Sequence, residues 1–124
     1  MNPAVRVVVA DDDPDIRNLM LIAVRKAGFD VLAAASDGEE AWTAVSTLQP
    51  ELVVLDVSMP GMNGLEVTAR VRADASLEGT RIVLVSAAVE AVAVSAGLQA
   101  GADLYLTKPF SPRDLAARLI EVMA

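Results

Sequence analysis

The chain contains no cysteine and no histidine. The first absence excludes disulfides, thiolate nucleophiles and cysteine-ligated metals. The second removes the commonest general base and the commonest zinc ligand together. Aromatic side chains are scarce at 3% of residues, although 54% are hydrophobic. The core must therefore be built from Val, Leu, Ala and Ile, which suits buried parallel strands covered by Ala-rich helices. Basic side chains number 10 against 17 acidic ones, a formal net charge of −7. A domain this acidic is a poor nucleic-acid binder by itself, because phosphate backbones require Lys and Arg. Charges interrupt every apolar run, so no stretch approaches membrane-spanning length. The opening MNPAVRV lacks the basic and apolar regions of a secretory signal and runs straight into apolar sequence. With 124 residues and no repeat or low-complexity tract, a single cytoplasmic domain over 1–124 is expected, with no direct contact to membrane or nucleic acid.

Two kinds of apolar pattern alternate along the chain. Short unbroken aliphatic runs at Val5–Ala10, Val31–Ala35, Leu52–Leu55, Ile82–Val85 and Leu104–Leu106 read as buried strands. Between them, Asp15–Ala27, Glu39–Leu48, Leu65–Arg72, Val89–Ala100 and Arg113–Met123 have helical spacing. Five strands alternating with five helices predict an α/β fold with one doubly wound parallel sheet. The helix boundaries agree. Asp13-Pro14 offers an N-cap acceptor followed by proline at the first helical position, and Gly28 ends that helix with Phe29 packing back. Ser36 or Asp37, with Glu39 or Glu40, offers a capping box at the second helix. Asn63 with Glu66, and Ser111-Pro112 with Asp114, repeat the logic.

The strand ends carry the chemistry. Asp11-Asp12 follow VRVVVA, Asp56 follows ELVVL, Ser86 follows RIVLV, and Lys108-Pro109 follow LYLT. In a parallel α/β sheet the carboxyl ends of the strands share one edge, and ligands bind there. These residues should converge on one site holding three carboxylates, a hydroxyl and an ammonium. Adjacent carboxylates stay ionised comfortably only beside a cation or basic group, and Mg²⁺ takes carboxylate, water and phosphate oxygens. A carboxylate such as Asp56 can also act as a nucleophile toward a phosphoryl donor. Taken singly, each residue has a plainer reading: Asp13 as a cap, Ser86 as a cap for the fourth helix, Lys108 as a solvated surface charge. Their placement at four separate strand ends, in order, outweighs those readings.

DDDPDIR, LDVSMPGMNGLE, VSA and YLTKPF together make the whole chain resemble the receiver domain of two-component response regulators. The resemblance implies a flavodoxin-like sheet of order 2-1-3-4-5. It implies that Asp56 is the phosphoacceptor and that a sensor histidine kinase or histidine phosphotransfer protein is the donor. By the same resemblance, Asp11, Asp12, Asp56 and the backbone carbonyl of Ser58 hold Mg²⁺ or Mn²⁺, with Asp12 the more direct ligand of the acidic pair. Ser86 and Tyr105 would be the switch residues, Lys108 the phosphate-neutralising lysine, and Lys108–Pro109 a cis bond. Phosphorylation would then remodel the face built from the fourth helix, fifth strand and fifth helix. That face would bind a downstream protein target or output domain, or form a phosphorylation-dependent homodimer.

The chain also departs from the family pattern. Ser86 stands where Thr is commoner and lacks the methyl that restricts rotamers. Ser58 and Ala88 occupy positions that tune phosphate lifetime, and neither is a strongly polar choice, so slow to moderate loss is expected. AAVEAVAVSAGLQA carries one charge, Glu90, and a helix apolar all round is normally covered. Val89, Val92 and Val94, with Asp103, Asp114 and Arg118, are therefore the candidate partner face. Trp42 reads as packing. A turnover phosphatase using Asp56 is disfavoured, because such enzymes resemble a pattern with a second carboxylate two positions on, where this chain has Ser58. A non-phosphorylated interaction module is the remaining alternative. No output domain fits beyond the fifth helix, so the chain is expected to act as a single-domain regulator or as the receiver piece of something longer.

Overall fold

The computed structural model describes residues 4–88 and 90–124. Strands β1 (Arg6–Ala10), β2 (Asp30–Ala35), β3 (Leu52–Asp56), β4 (Arg81–Ser86) and β5 (Leu104–Thr107) alternate with helices α1 (Pro14–Lys26), α2 (Gly38–Leu48), α3 (Gly64–Ala73), α4 (Ala91–Ala100) and α5 (Pro112–Met123). The strands form one parallel sheet of order 2-1-3-4-5. Both fold class and strand order agree with the sequence reading.

The aliphatic runs behave as strands because both of their faces are covered. Val8, Val53, Leu55, Ile82 and Leu84 pack on the side of α2 and α3, among Ala41, Val45, Val67 and Val71. Their alternates Val7, Val9, Leu52, Val54, Val83 and Val85 pack on the side of α1 and α5, among Met20, Val24, Leu115 and Leu119. Burying each such side chain contributes about 1.5–3 kcal/mol before ordering costs. α4 rests on α3 and β5, and Gly97 is its one buried residue.

Caps fix where the helices start. Asp13 accepts from the Asp15 and Ile16 amides at 2.8 and 3.4 Å, with Pro14 at the first position. Asp37, not Ser36, caps α2 by accepting from the Glu40 amide at 2.8 Å, and the Glu40 carboxylate reaches back to Ser36. Asn63 and Glu66 complete a reciprocal capping box, and Ser111 accepts from the Asp114 amide. Gly28 ends α1 with φ +82°, and Phe29 donates back to the Val24 carbonyl at 3.1 Å. α4 is the exception: its N-cap, Glu90, makes no side-chain cap bond. A short 3-10 turn at Ala75–Leu77, which buries Leu77, was not anticipated from the sequence.

Arg72 on α3 organises the amino ends of β4 and β5. Its guanidinium donates to the carbonyls of Gly101 and Thr80 at 2.8 and 2.7 Å, and to Asp103 Oδ2 at 2.8 Å. Asp103 Oδ2 also accepts the Ile82 amide at 2.7 Å. One side chain thus joins α3, the end of α4 and two strand entries. Charge-assisted bonds of this kind are roughly twice as strong as neutral ones.

Candidate functional site

At the opposite end of the strands, the register sets Ala10 beside Leu55, Asp56 beside Val85, and Ser86 beside Thr107. The residues that end these strands therefore share one edge. Asp11, Asp12, Asp13, Asp56, Ser58, Ser86, Ala87, Ala88 and Lys108 line a single open cavity there. Every site residue read from the strand ends is brought together.

Asp11 is fully buried. Its Oδ1 accepts the Asp13 amide at 2.9 Å, its amide donates to the Ala35 carbonyl at 3.1 Å, and its own carbonyl accepts Arg17 Nη1 at 2.8 Å. Its Oδ2 stands 3.0 Å from Lys108 Nζ as an ion-pair contact, yet has no aligned hydrogen-bond donor among the described residues. Asp56 is 3% exposed, and its Oδ1 accepts from Lys108 Nζ at 3.1 Å. Asp12 is exposed at the cavity rim. One carboxylate oxygen from each of Asp11, Asp12 and Asp56 lies within 4.8 Å of the others.

Burial pushes the Asp56 carboxyl above its ordinary 3.8; the hydrogen bond from Lys108 offsets this in part, and the charge of Asp11 adds to it. For Lys108 burial acts downward, but the close carboxylates of Asp11 and Asp56 outweigh it, and its pKa is raised above 10.5. One ammonium thus serves two buried carboxylates while a third stands beside them. This donor set fits a hard divalent cation: all oxygen, excess negative charge, and a buried carboxylate oxygen left without a donor.

The third strand continues into a loop that returns tightly to α3. The Gly64 amide donates to the Val57 carbonyl at 2.9 Å. A Cβ on Gly64 would lie 2.4 Å from the Asp56 carbonyl oxygen, so only glycine lets α3 begin directly against the Asp56 backbone.

Ser86 is 4% exposed, and its Oγ accepts the Ala88 amide at 3.1 Å rather than capping α4. The Ala88 carbonyl accepts the Tyr105 hydroxyl at 2.8 Å. The Tyr105 ring packs over Gly97 of α4. Ser86 and Tyr105 are thereby linked through one residue. Lys108–Pro109 is cis.

The partner-face residues are more scattered. Val92 is 82% exposed, and Val94 is half-buried. Asp103 is committed to Arg72 and the Ile82 amide. Asp114 and Arg118 border a small cleft with Leu106, Pro109 and Phe110, and Arg118 lies 3.7 Å from Glu121. Val89 lies outside the described residues. Trp42 packs against the α2–α3 side of the core, with the Arg70 guanidinium 6.0 Å from its ring centre. Sequence reasoning missed Arg17, whose only signal was a cation one turn into the helix after the acidic pair.

A family model described as the response regulator receiver domain matches residues 7–120. The DNA-binding response regulator MtrA of Mycolicibacterium smegmatis is 46% identical over 114 residues, 92% of this chain and 48% of that protein. The alkaline phosphatase synthesis transcriptional regulatory protein PhoP of Bacillus subtilis is 38% identical over 118 residues, 95% of this chain and 48% of that protein. The chain thus spans about half the length of the curated relatives it matches. Among solved structures, the receiver domain of the response regulator NarL from Mycobacterium tuberculosis superposes with TM-score 0.89 at 34% identity, covering 97% of this chain and 96% of that one.

Proposed function

The chain belongs to the response regulator receiver domain family, and from that premise we propose that Asp56 is the phosphoacceptor of a Mg²⁺-dependent switch spanning residues 1–124. The observation that supports it best is the pairing of Lys108 with both Asp11 and Asp56 beside a three-carboxylate cluster. Asp11, Asp12, Asp56 and the Ser58 carbonyl would hold Mg²⁺, or Mn²⁺ in its place. The cation would supply charge neutralisation for the incoming phosphoryl oxygens.

An Asp56 carboxylate oxygen attacks the phosphorus of a phosphohistidine on a sensor kinase or phosphotransfer protein. A new P–O bond forms, the donor P–N bond breaks, and the imidazole leaves with the electron pair and is reprotonated from solvent. Lys108 then faces a dianionic group in place of a monoanionic one, and its ammonium neutralises one phosphoryl oxygen. The Ser86 hydroxyl accepts from the Ala88 amide and, among the described residues, donates to none, so its proton can go to another phosphoryl oxygen. Drawing Ser86 inward shifts Ala88, and with it the carbonyl that holds Tyr105. Phosphorylation adds close to two negative charges and three acceptor oxygens, enough to bias such a local arrangement.

The remodelled face is read as the surface for a downstream target, an output domain or a second copy, with exposed Val92 as part of it. Among the described residues no helix is long and apolar enough to cross a membrane, and a cytoplasmic setting is proposed. The role is that of a self-modifying switch, not a turnover enzyme. The non-phosphorylated module has no support, because none of the residues that phosphoryl chemistry needs is missing.

Intact-mass spectrometry with a small phosphodonor tests the reading. One phosphoryl adduct is expected, dependent on both Mg²⁺ and Asp56 and absent from Asp56→Asn. No adduct under any condition, or an undiminished adduct in Asp56→Asn, contradicts it.

A further inference from the structure

Residues 57–63, between β3 and α3, carry Ser58 and are held down by Met59 and Met62, which are 7% and 9% exposed. Their floor is the amino end of α2. Gly38, the first residue of that helix, is buried and lies directly against the Met62 backbone. A Cβ there would stand 1.6 Å from the Met62 carbonyl oxygen, 2.4 Å from its carbon and 2.8 Å from the Met62 Cβ. Gly38 is not among the glycines with positive φ, so its conformation suits any residue and only the space demands glycine. The next residue touches the same loop: the Glu39 carboxylate would lie 3.9 Å from a Cβ on Gly61. Neither Gly38 nor Glu39 lines the acidic cavity.

We infer that Gly38 is a positioning residue for the divalent-cation site, seating the loop that presents Ser58 beside Asp56. The inference rests on reading Asp11, Asp12, Asp56 and the Ser58 carbonyl as the ligand set. The obstacle that a side chain at 38 meets is backbone, which cannot rotate aside. The loop would have to retreat until the Met62 oxygen moves from 1.6 Å to beyond 3.0 Å. Its far end cannot absorb that movement, because Gly64 is already pressed on the Asp56 carbonyl. The strain therefore falls on residues 57–63. Mg²⁺ tolerates little of it, since it requires near-octahedral ligands at about 2.0–2.1 Å.

The test is calorimetric titration with MgCl₂ alone, without phosphodonor, alongside urea denaturation. It compares wild type, Gly38→Ala and Leu119→Ala, the last a buried core residue of α5 on the other face of the sheet. Gly38→Ala is expected to weaken Mg²⁺ binding about tenfold or more, as losses of supporting residues do. Leu119→Ala should lose stability yet bind Mg²⁺ as wild type does. Equal weakening in both variants would reduce Gly38 to a general packing residue and overturn the inference. Wild-type affinity in Gly38→Ala would do the same. If Gly38→Ala does not fold, Met62→Ala decides: it loosens the loop without a clash, so weakened binding supports the inference and unchanged binding overturns it. Failure of the wild type itself to bind Mg²⁺ would overturn the reading of the ligand set, and the role of Gly38 with it.

Discussion

Replacing Asp56 by Asn should make the metal-free protein more stable and the metal-loaded protein less so. Asp56 sits within 4.8 Å of an Asp11 oxygen and 3.1 Å from Lys108 Nζ. With an effective dielectric constant of about 20, the repulsion is at least roughly 3.5 kcal/mol and the attraction roughly 5 kcal/mol. Charges alone would thus favour the carboxylate by at most about 2 kcal/mol. Burial reverses that balance, since the Asp56 pKa lies above 3.8 with desolvation as the main cause. The folded state therefore holds the Asp56 proton more tightly than the unfolded chain does, and wild-type stability falls as pH rises from 3.8 through the raised value.

Asn removes the desolvated charge while Lys108 keeps Asp11. The expected gain at neutral pH is on the order of 1–2 kcal/mol, the lower part of the ~1–3 kcal/mol that an undercompensated buried polar group costs. For a chain of this length that is about 4–8 °C in Tm. The advantage should disappear in acid, where wild-type Asp56 is itself neutral. Saturating Mg²⁺ should reverse the order. Wild type gains about 2.7 kcal/mol at a hundredfold excess over Kd, and the variant, one carboxylate short, gains less. Thermal denaturation followed by circular dichroism, in chelator and then in Mg²⁺, reads both limbs. A variant melting below wild type in chelator, or rising equally with Mg²⁺, would refute the reasoning.

Lys108→Met should cost about 3 kcal/mol at neutral pH without metal, since it strands two buried carboxylates, and should slow formation of the phosphoryl adduct. Urea denaturation measures the first effect, and the loss should shrink in acid as Asp56 protonates. Because the Lys108 pKa is raised, its contribution at neutral pH persists to pH 10.5 and is lost as pH climbs through the raised value. Val92→Asp alters a side chain that is 82% exposed, so stability should change by no more than about 0.5 kcal/mol. Self-association or target binding of the phosphorylated form should weaken, and unchanged sedimentation and binding would remove the case for the α4 surface.

The site was legible because a parallel sheet converts chain order into spatial order. Once the aliphatic runs are strands, Asp11, Asp56, Ser86 and Lys108 must share an edge. Local chemistry made most helix starts legible too, although Ser36 and Asp37 both suit a cap and only the structure selects Asp37. What stayed hidden depends on distant partners. Asp103 reads as a surface charge until Arg72, 31 residues away in sequence, is seen to hold it. Ser86 reads as a cap for α4 until that helix is found to start at Ala91, with Glu90 before it. The Ala75–Leu77 turn is too short to leave a periodic signal, and only Leu77 marks it. The need for Gly38 comes entirely from Met62, in a loop far along the chain.

The grip of Arg72 on the Gly101 carbonyl has a mechanical consequence. α4 is fastened at its carboxyl end, while its first turn has no side-chain cap. A ten-residue helix is about 15 Å long, so this one behaves as a cantilever with its clamp at Arg72. Any pull through Ala88 acts toward the uncapped end. Displacement should grow from Gln99 toward Val92, and a small movement at the root of the β4–α4 loop would be magnified where the most exposed valine sits, without unseating the base of the helix.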